Sequence, residues 1–485
     1  MKLVRVLATV TLMLTLMGLA SAQTWTPLKN GPGVDIGAMI QLRDGRVFAH
    51  EEQTGNPNAW HILTPDKTGS YINGTWSAGG NLPAGYAPFY FSSHVFLDGK
   101  HILIEGGEYN NGNAVWTTLG AYGTIAPFTG KATFVKNAPP AGWGTIGDAQ
   151  SIILADGRYL QANCCNTQSA FFKSPNNWTA NSNIAGTDND EQGYTLLSSG
   201  KLLMVEAWTT SCFGNNGSEL FTPTTNTWAC AAATPTQLWD NSGHELGPAV
   251  LMYNGKVFQV GATNATAVYT PTTNTWVAGP TPAGGLTGYD APAALLPNGQ
   301  VLEMLGPSGF NPGCQMELYN PTTNKLTNTT NPPLGCPADP TFVGHLMLLP
   351  TGQVLFSDFS GNLAVYTPAA GVVASAVPKI TSTVHTFTHG SKNNLLSITG
   401  LNGLSQAAAY GDDYQPEANY PLVRLKASNG NVTYAFTHND STHSIAPGTK
   451  GTTMFDLPAT LGAGSYSLYV VVNGIPSAAF QVTLK

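Results

Sequence analysis

Short apolar runs alternate with turns along this chain, and one turn recurs. Met39-Ile40 precedes Asp44-Gly45, and Arg46-Val47-Phe48 follows it. The arrangement returns around Asp98-Gly99, Asp156-Gly157, Ser199-Gly200, Asn254-Gly255, Asn298-Gly299 and Thr351-Gly352. Asp-Gly or Asn-Gly between alternating apolar runs predicts a β-hairpin. The seven turn glycines stand 43 to 58 residues apart. A second element lies between them. Phe221-Thr-Pro-Thr-Thr-Asn-Thr-Trp228 is nearly repeated as Tyr269-Thr-Pro-Thr-Thr-Asn-Thr-Trp276 and again as Tyr319-Asn-Pro-Thr-Thr-Asn-Lys-Leu326. Leu63-Thr-Pro65 with Trp76, and Tyr366-Thr-Pro368, are weaker copies. Each reads as a strand end, a turn and a further strand. Four strands in every period of about 50 residues predict a β-propeller blade, and seven hairpins predict seven blades.

The last blade lacks its final strand, because an Ala/Gly/Val stretch follows Tyr366-Thr-Pro368. Thr24-Trp25-Thr26-Pro27-Leu28 resembles Asn274-Thr-Trp276 and is expected to supply that strand. An unclosed ring would leave unpaired edges. The propeller is thus expected over residues 23–376. The period is lost from about Val377, and strand signals at Leu395–Ile398, Leu422–Leu425 and Ser467–Val472 follow. Residues 377–485 are about the length of one immunoglobulin-like β-sandwich. Composition supports an all-β class. Only 10% of residues are charged while 42% are hydrophobic, and the chain holds 54 glycines and 33 prolines. Helical bundles draw on far more Glu, Lys and Arg, and disordered chains lack this apolar content.

Residues 1–22 have the pattern of a secretory signal. Lys2 and Arg5 open it, an apolar run spans Val6 to Leu19, and Ala20-Ser21-Ala22 offers a cleavage site. A membrane anchor is the other reading, but the run is short for a span. Loss of Lys2 and Arg5 takes the net charge from −7 to −9. There is no basic cluster, so neither nucleic acid nor a membrane surface is an expected partner. A secreted monomer is expected, outside the cell or in a periplasm. Its six cysteines are expected as disulfides rather than thiolate metal ligands. Cys212 with Cys230 and Cys314 with Cys336 would each staple a loop, contributing roughly 3 kcal/mol. Adjacent Cys164 and Cys165 would form an eight-membered ring.

Seven hairpin repeats with Tyr-Thr-Pro…Trp strands, Ile104-Glu-Gly106-Gly107, and the ending Tyr410…Pro421-Leu-Val-Arg-Leu425…Asn473-Gly-Ile-Pro476-Ser477 carry a resemblance. The chain is similar to the kelch-type galactose oxidase and glyoxal oxidase superfamily over nearly all of its mature length. More closely, Asn163-Cys164-Cys165 and Glu245-Leu-Gly-Pro-Ala249 resemble bacterial secreted kelch-repeat proteins. The resemblance implies a copper-radical oxidase, which needs a Tyr crosslinked to Cys, a Tyr-His pair opening the last blade, and a C-terminal His. Counted back from the turn glycines, the Tyr-His positions hold Phe342-Val343, and the Cys position falls in Asp35-Ile36. Tyr90 does occupy the crosslinked-Tyr position, and His438 and His443 are the C-terminal candidates. His345 lies two residues past Val343. Copper is therefore not expected.

The same count finds acids. Nine or ten residues before five of the seven turn glycines stand Asp35, Asp148, Asp190 with Glu191, Glu245 and Asp290. Innermost strands of a propeller start around one mouth of its channel, so these carboxylates should converge. Converging carboxylates repel unless compensated. Ca²⁺, which favours several oxygen ligands, is the cofactor that would compensate them. The hydroxyls of a glycan, or a small polar ligand such as an amine, would also suit them. The acids have other uses: accepting backbone N–H groups of inter-blade loops, or serving as general acid and base. Trp143, Trp208 and Trp239 map to the same face, and aromatic planes beside acids suit carbohydrate. Three functions therefore stand open: a ligand-binding protein, a diverged oxidase-like or polysaccharide-active enzyme, and a cell-surface adhesion protein.

Overall fold

The computed structural model describes residues 23–52 and 57–485, so the expected export signal at 1–22 lies outside the described residues. The described chain is nearly all β, with four single 3₁₀ turns. Six antiparallel sheets of four strands and one of five follow one another. The first is formed by Ile36–Gln41, Val47–Glu51, Ala59–Thr64 and Thr75–Asn81. In the last, His345–Leu348, Val354–Ser357 and Ala364–Thr367 are joined by Thr24–Pro27, with Trp25 opposite Tyr366. Trp25 packs on Phe356 and Tyr366 and donates its ring N–H to the Thr330 carbonyl at 2.6 Å. The first strands of neighbouring sheets lie side by side, for example Ile36–Gln41 between Ser92–Val95 and His345–Leu348.

Local chemistry explains the repeated turns. All seven hairpin glycines, from Gly45 to Gly352, have φ between +72° and +86°. Each donates its N–H to the carbonyl three residues back, as Gly45 does to Leu42 and Gly352 to Leu349. This is a three-residue hairpin whose last position is left-handed, which favours glycine. The preceding Asp or Asn accepts backbone N–H groups beyond the turn, as Asp98 does from Lys100 and His101. In the Thr-Thr-Asn turns, Asn226, Asn274 and Asn324 take φ of 51–56°. They set Phe221 against Trp228, Tyr269 against Trp276 and Tyr319 against Leu326.

After residue 377, strands including Asn394–Thr399, Leu422–Ala427, Val432–His438 and Gly464–Val472 close over Leu396, Val423, Phe455 and Val470. One segment departs from the sequence expectation. Every residue from 401 to 423 is buried. Ala408–Ala409 pairs with Ala293–Ala294, adding a fifth strand to that sheet on its inner side. Phenols tie the segment to several sheets: Tyr410 donates to the Phe342 carbonyl, Tyr414 meets the Met39 backbone, and Tyr420 donates to Gln41. Its Ala and Gly positions let it run between the innermost strands.

Candidate functional site

The segment and the strand starts enclose a cavity of about 260 Å³. Its acids are Glu108, Asp148, Glu191, Glu245, Asp290 and Asp412, and its aromatic walls are Tyr90, Tyr109, Phe310 and Phe342. Among the described residues, no Lys, Arg or His lines it. A wider groove of about 490 Å³ lies at the hairpin turns, between Asn254, Asn298, Gln300 and Asn320, and carries no charged side chain.

Five expected residues thus meet: Tyr90, Asp148, Glu191, Glu245 and Asp290. Tyr90, Glu191 and Asp290 each stand nine residues before a hairpin glycine, with φ of 50°, 65° and 50°. A left-handed non-glycine residue costs roughly 1–2 kcal/mol. Such outliers concentrate where a side chain must be aimed. Asp190 sits beside the cavity, its carboxylate near those of Asp148 and Glu191. The Cys164 sulfur lies 3.3 Å from Asp190 Oδ1. Asp35 is not among the residues lining this cavity. Ile36 bridges to Ser360 and accepts the Phe359 N–H, which holds Asp35 at the seam between the first and last sheets.

The cavity's electrostatics follow from burial. Burial, with the Asp412 and Asp240 charges, pushes the Glu245 carboxyl up to about 8. Burial and Asp412 raise Glu108 to about 7, and burial with Asp412 and Asp188 raises Asp190 to about 7. Asp148, Glu191 and Asp290 are displaced well above the ordinary carboxylate range, again by burial first and neighbouring acids second. Glu245 lies within hydrogen-bonding reach of the Glu191 and Asp290 carboxyls. Asp240 behaves oppositely. Burial opposes its ionisation, but N–H groups of Ser242, Gly243 and Glu245 and the Ser242 hydroxyl hold it below its ordinary value. It is a pedestal for the Glu245 backbone. Beside it, His244 is sandwiched between Trp208, 3.5 Å away, and Trp239, 5.0 Å away. The stack and an Nδ1 contact to the Ala207 carbonyl at 3.0 Å hold His244 in the loop that carries Glu245.

Sequence reasoning missed Glu108, Tyr109, Phe310, Asp412 and the neighbouring Asp413. Asp412-Asp413 had one available signal: two adjacent acids inside the Ala/Gly/Tyr run 407–414. Asp413 is 1% exposed, and neither of its carboxylate oxygens meets an N–H or hydroxyl donor.

The residues around Tyr90 do not fit the copper-radical set. Tyr90 is flanked by Tyr109, Phe342 and Phe359. All six cysteines are paired: Cys164–Cys165, Cys212–Cys230 and Cys314–Cys336. His345 is buried against Tyr410 and Phe359, and burial drives its pKa down to about 3. His438 meets Asp456 at 3.1 Å, and His443 meets Asn419 at 3.2 Å.

No family model matches the chain, and no curated protein matches it. Among solved structures it is similar to a fungal alcohol oxidase of the AA5 family in complex with copper, with 15% identity and a TM-score of 0.40 over 82% of this chain and 97% of that one. A streptogramin B lyase shares 15% identity with a TM-score of 0.47, over 72% and 98% of the two chains. The extracellular domain of a putative one-component system from B. thetaiotaomicron shares 10% identity with a TM-score of 0.47, over 96% of this chain and 58% of that one.

Proposed function

We propose that this is a secreted kelch-type protein, a seven-bladed β-propeller over 23–376 followed by an immunoglobulin-like sandwich over 377–485. It binds a glycan or another small polar ligand, with Ca²⁺, at the acidic mouth of its channel. The observation that carries the reading is one cavity in which buried carboxylates meet aromatic walls and no basic side chain. Carboxylate oxygens accept hydrogen bonds from sugar hydroxyls. The faces of Tyr109, Phe310 and Phe342 offer apolar planes for a ring. At about 260 Å³ the cavity falls below the ~300–1,000 Å³ of drug-sized pockets, so a single sugar unit, a polyol or a small amine suits it. Three disulfides support an oxidising compartment.

The test is a glycan array with the purified protein, repeated with an Asp290→Ala Glu245→Ala variant. Binding that the variant abolishes supports the reading. Binding that survives in the variant, or no ligand at all, refutes it; retained adhesion to cells with the acids removed would favour a surface-adhesion role.

An enzymatic reading has its own observation. A carboxyl such as Glu245, near 8, carries a proton at neutral pH and so would donate one to a leaving group. Incubation with a panel of polysaccharides, followed by assay of new reducing or unsaturated ends, tests it.

A further inference from the structure

Five acids in and beside the cavity form two triads with one shared member. Asp148, Asp190 and Glu191 form the first, and Glu191, Glu245 and Asp290 the second. In each triad, three ligand oxygens lie within 4.8 Å of one another. That span matches the diameter of a coordination shell with metal–oxygen distances of about 2.4 Å, the Ca²⁺ range. A second observation points to a ligand. Asp148, Glu245 and Asp412 are 3%, 6% and 3% exposed, and each keeps one buried oxygen, Oδ1, Oε2 and Oδ1 respectively, that meets no N–H or hydroxyl donor. Acids outside the cavity vary: Glu303 also lacks a donor on both oxygens, whereas two others are satisfied. Glu219 receives the N–H groups of Ala185 and Gly186, and Asp240 those of Ser242, Gly243 and Glu245.

We infer that the cavity holds two divalent cations of the Ca²⁺ class, bridged by the Glu191 carboxylate, and that a ligand's hydroxyls bind through the ion between Glu191, Glu245 and Asp290. Those three side chains line the cavity, whereas Asp190 lies beside it. Asp412, within hydrogen-bonding reach of Glu191, adds an oxygen from the channel segment. The ion pair stands on the triads alone. The ligand's route through an ion rests on the function proposed above.

The experiment is Ca²⁺ binding to the mature full-length chain after stripping with EDTA, followed by calorimetry and elemental analysis. Two ions per chain are expected, with affinities at or tighter than the roughly 0.1–1 mM of extracellular Ca²⁺ modules. Asp148→Asn and Asp290→Asn should each leave one ion, and Glu191→Gln should lose both. One ion or none in the unmodified chain, or two retained in Glu191→Gln, overturns the inference. Terbium-to-europium energy transfer in the unmodified chain gives a test that needs no variant; bound lanthanides without transfer overturn the bridge. The array repeated in EDTA separates the two proposals. Glycan binding unchanged in EDTA overturns the route through the ion and leaves the acidic mouth standing. Two ions with no glycan bound overturns the ligand reading and leaves the ion pair standing.

Discussion

Replacing Glu245 by Gln should stabilise the ion-free protein at alkaline pH and have little effect in acid. Glu245 is 6% exposed and its carboxyl sits near 8 in the folded chain, against 4.5 ordinarily. Between those values the folded protein holds a proton that the unfolded chain has released. A carboxyl raised in this way lends stability that is fully present below the unfolded pKa and is lost as pH rises through the folded one. The slope is about 1.4 kcal/mol per pH unit for one proton. From pH 5 to pH 8 the wild type should therefore lose about 4 kcal/mol through this group, which glutamine cannot lose. Urea denaturation of both proteins in EDTA at half-unit pH steps measures the difference. The variant's advantage should grow by about 4 kcal/mol across the range. A difference constant to within about 0.5 kcal/mol would refute the argument that burial holds this proton. Added Ca²⁺ should reverse the order at pH 8, because an ion bound only by the folded wild type stabilises it by mass action.

Three further outcomes are expected. Arg43 and Asp440 are paired with both side chains fully buried, and Arg43 also lies over the Tyr420 ring; Arg43→Met should cost about 3–5 kcal/mol by stranding Asp440, and Arg43→Met Asp440→Leu should recover most of it in the same denaturation assay. Trp25→Ala should loosen the strand that completes the last sheet, costing about 2–3 kcal/mol and exposing the Ala364–Thr367 edge; faster proteolysis and concentration-dependent aggregation would report it. His244→Ala should leave the fold intact but weaken any ligand held by Glu245, since the Trp208–His244–Trp239 stack steadies that loop; unchanged affinity by calorimetry would show that Asp240 alone suffices.

Much of the architecture was legible because its determinants are local. A left-handed residue that closes each hairpin calls for glycine, and seven glycines mark seven hairpins. The Thr-Thr-Asn turns likewise need an Asn that tolerates positive φ, and they fix which aromatic faces which across the strands. Counting back from the glycines picks out Asp148, Glu191, Glu245 and Asp290, which line one cavity, because strand length and turn geometry are nearly constant between repeats. Asp35 stands apart from them, and the residue after it bridges to Ser360 at the seam between the first and last sheets.

What the sequence by itself determined, then, is the repeated sheet and the register that brings acids to one level of it. Only the tertiary structure decided what those acids face. The segment 401–423 carries no alternation that marks it as a channel strand, and its pairing partner lies more than a hundred residues earlier. Asp412 reaches the cavity through that distant pairing and through phenols bonded to backbone carbonyls of several sheets. Contacts of that kind depend on which surfaces meet after the ring has closed, so no local pattern encodes them. The same packing removes water from the acids, and that burial raises their carboxyls above the ordinary range.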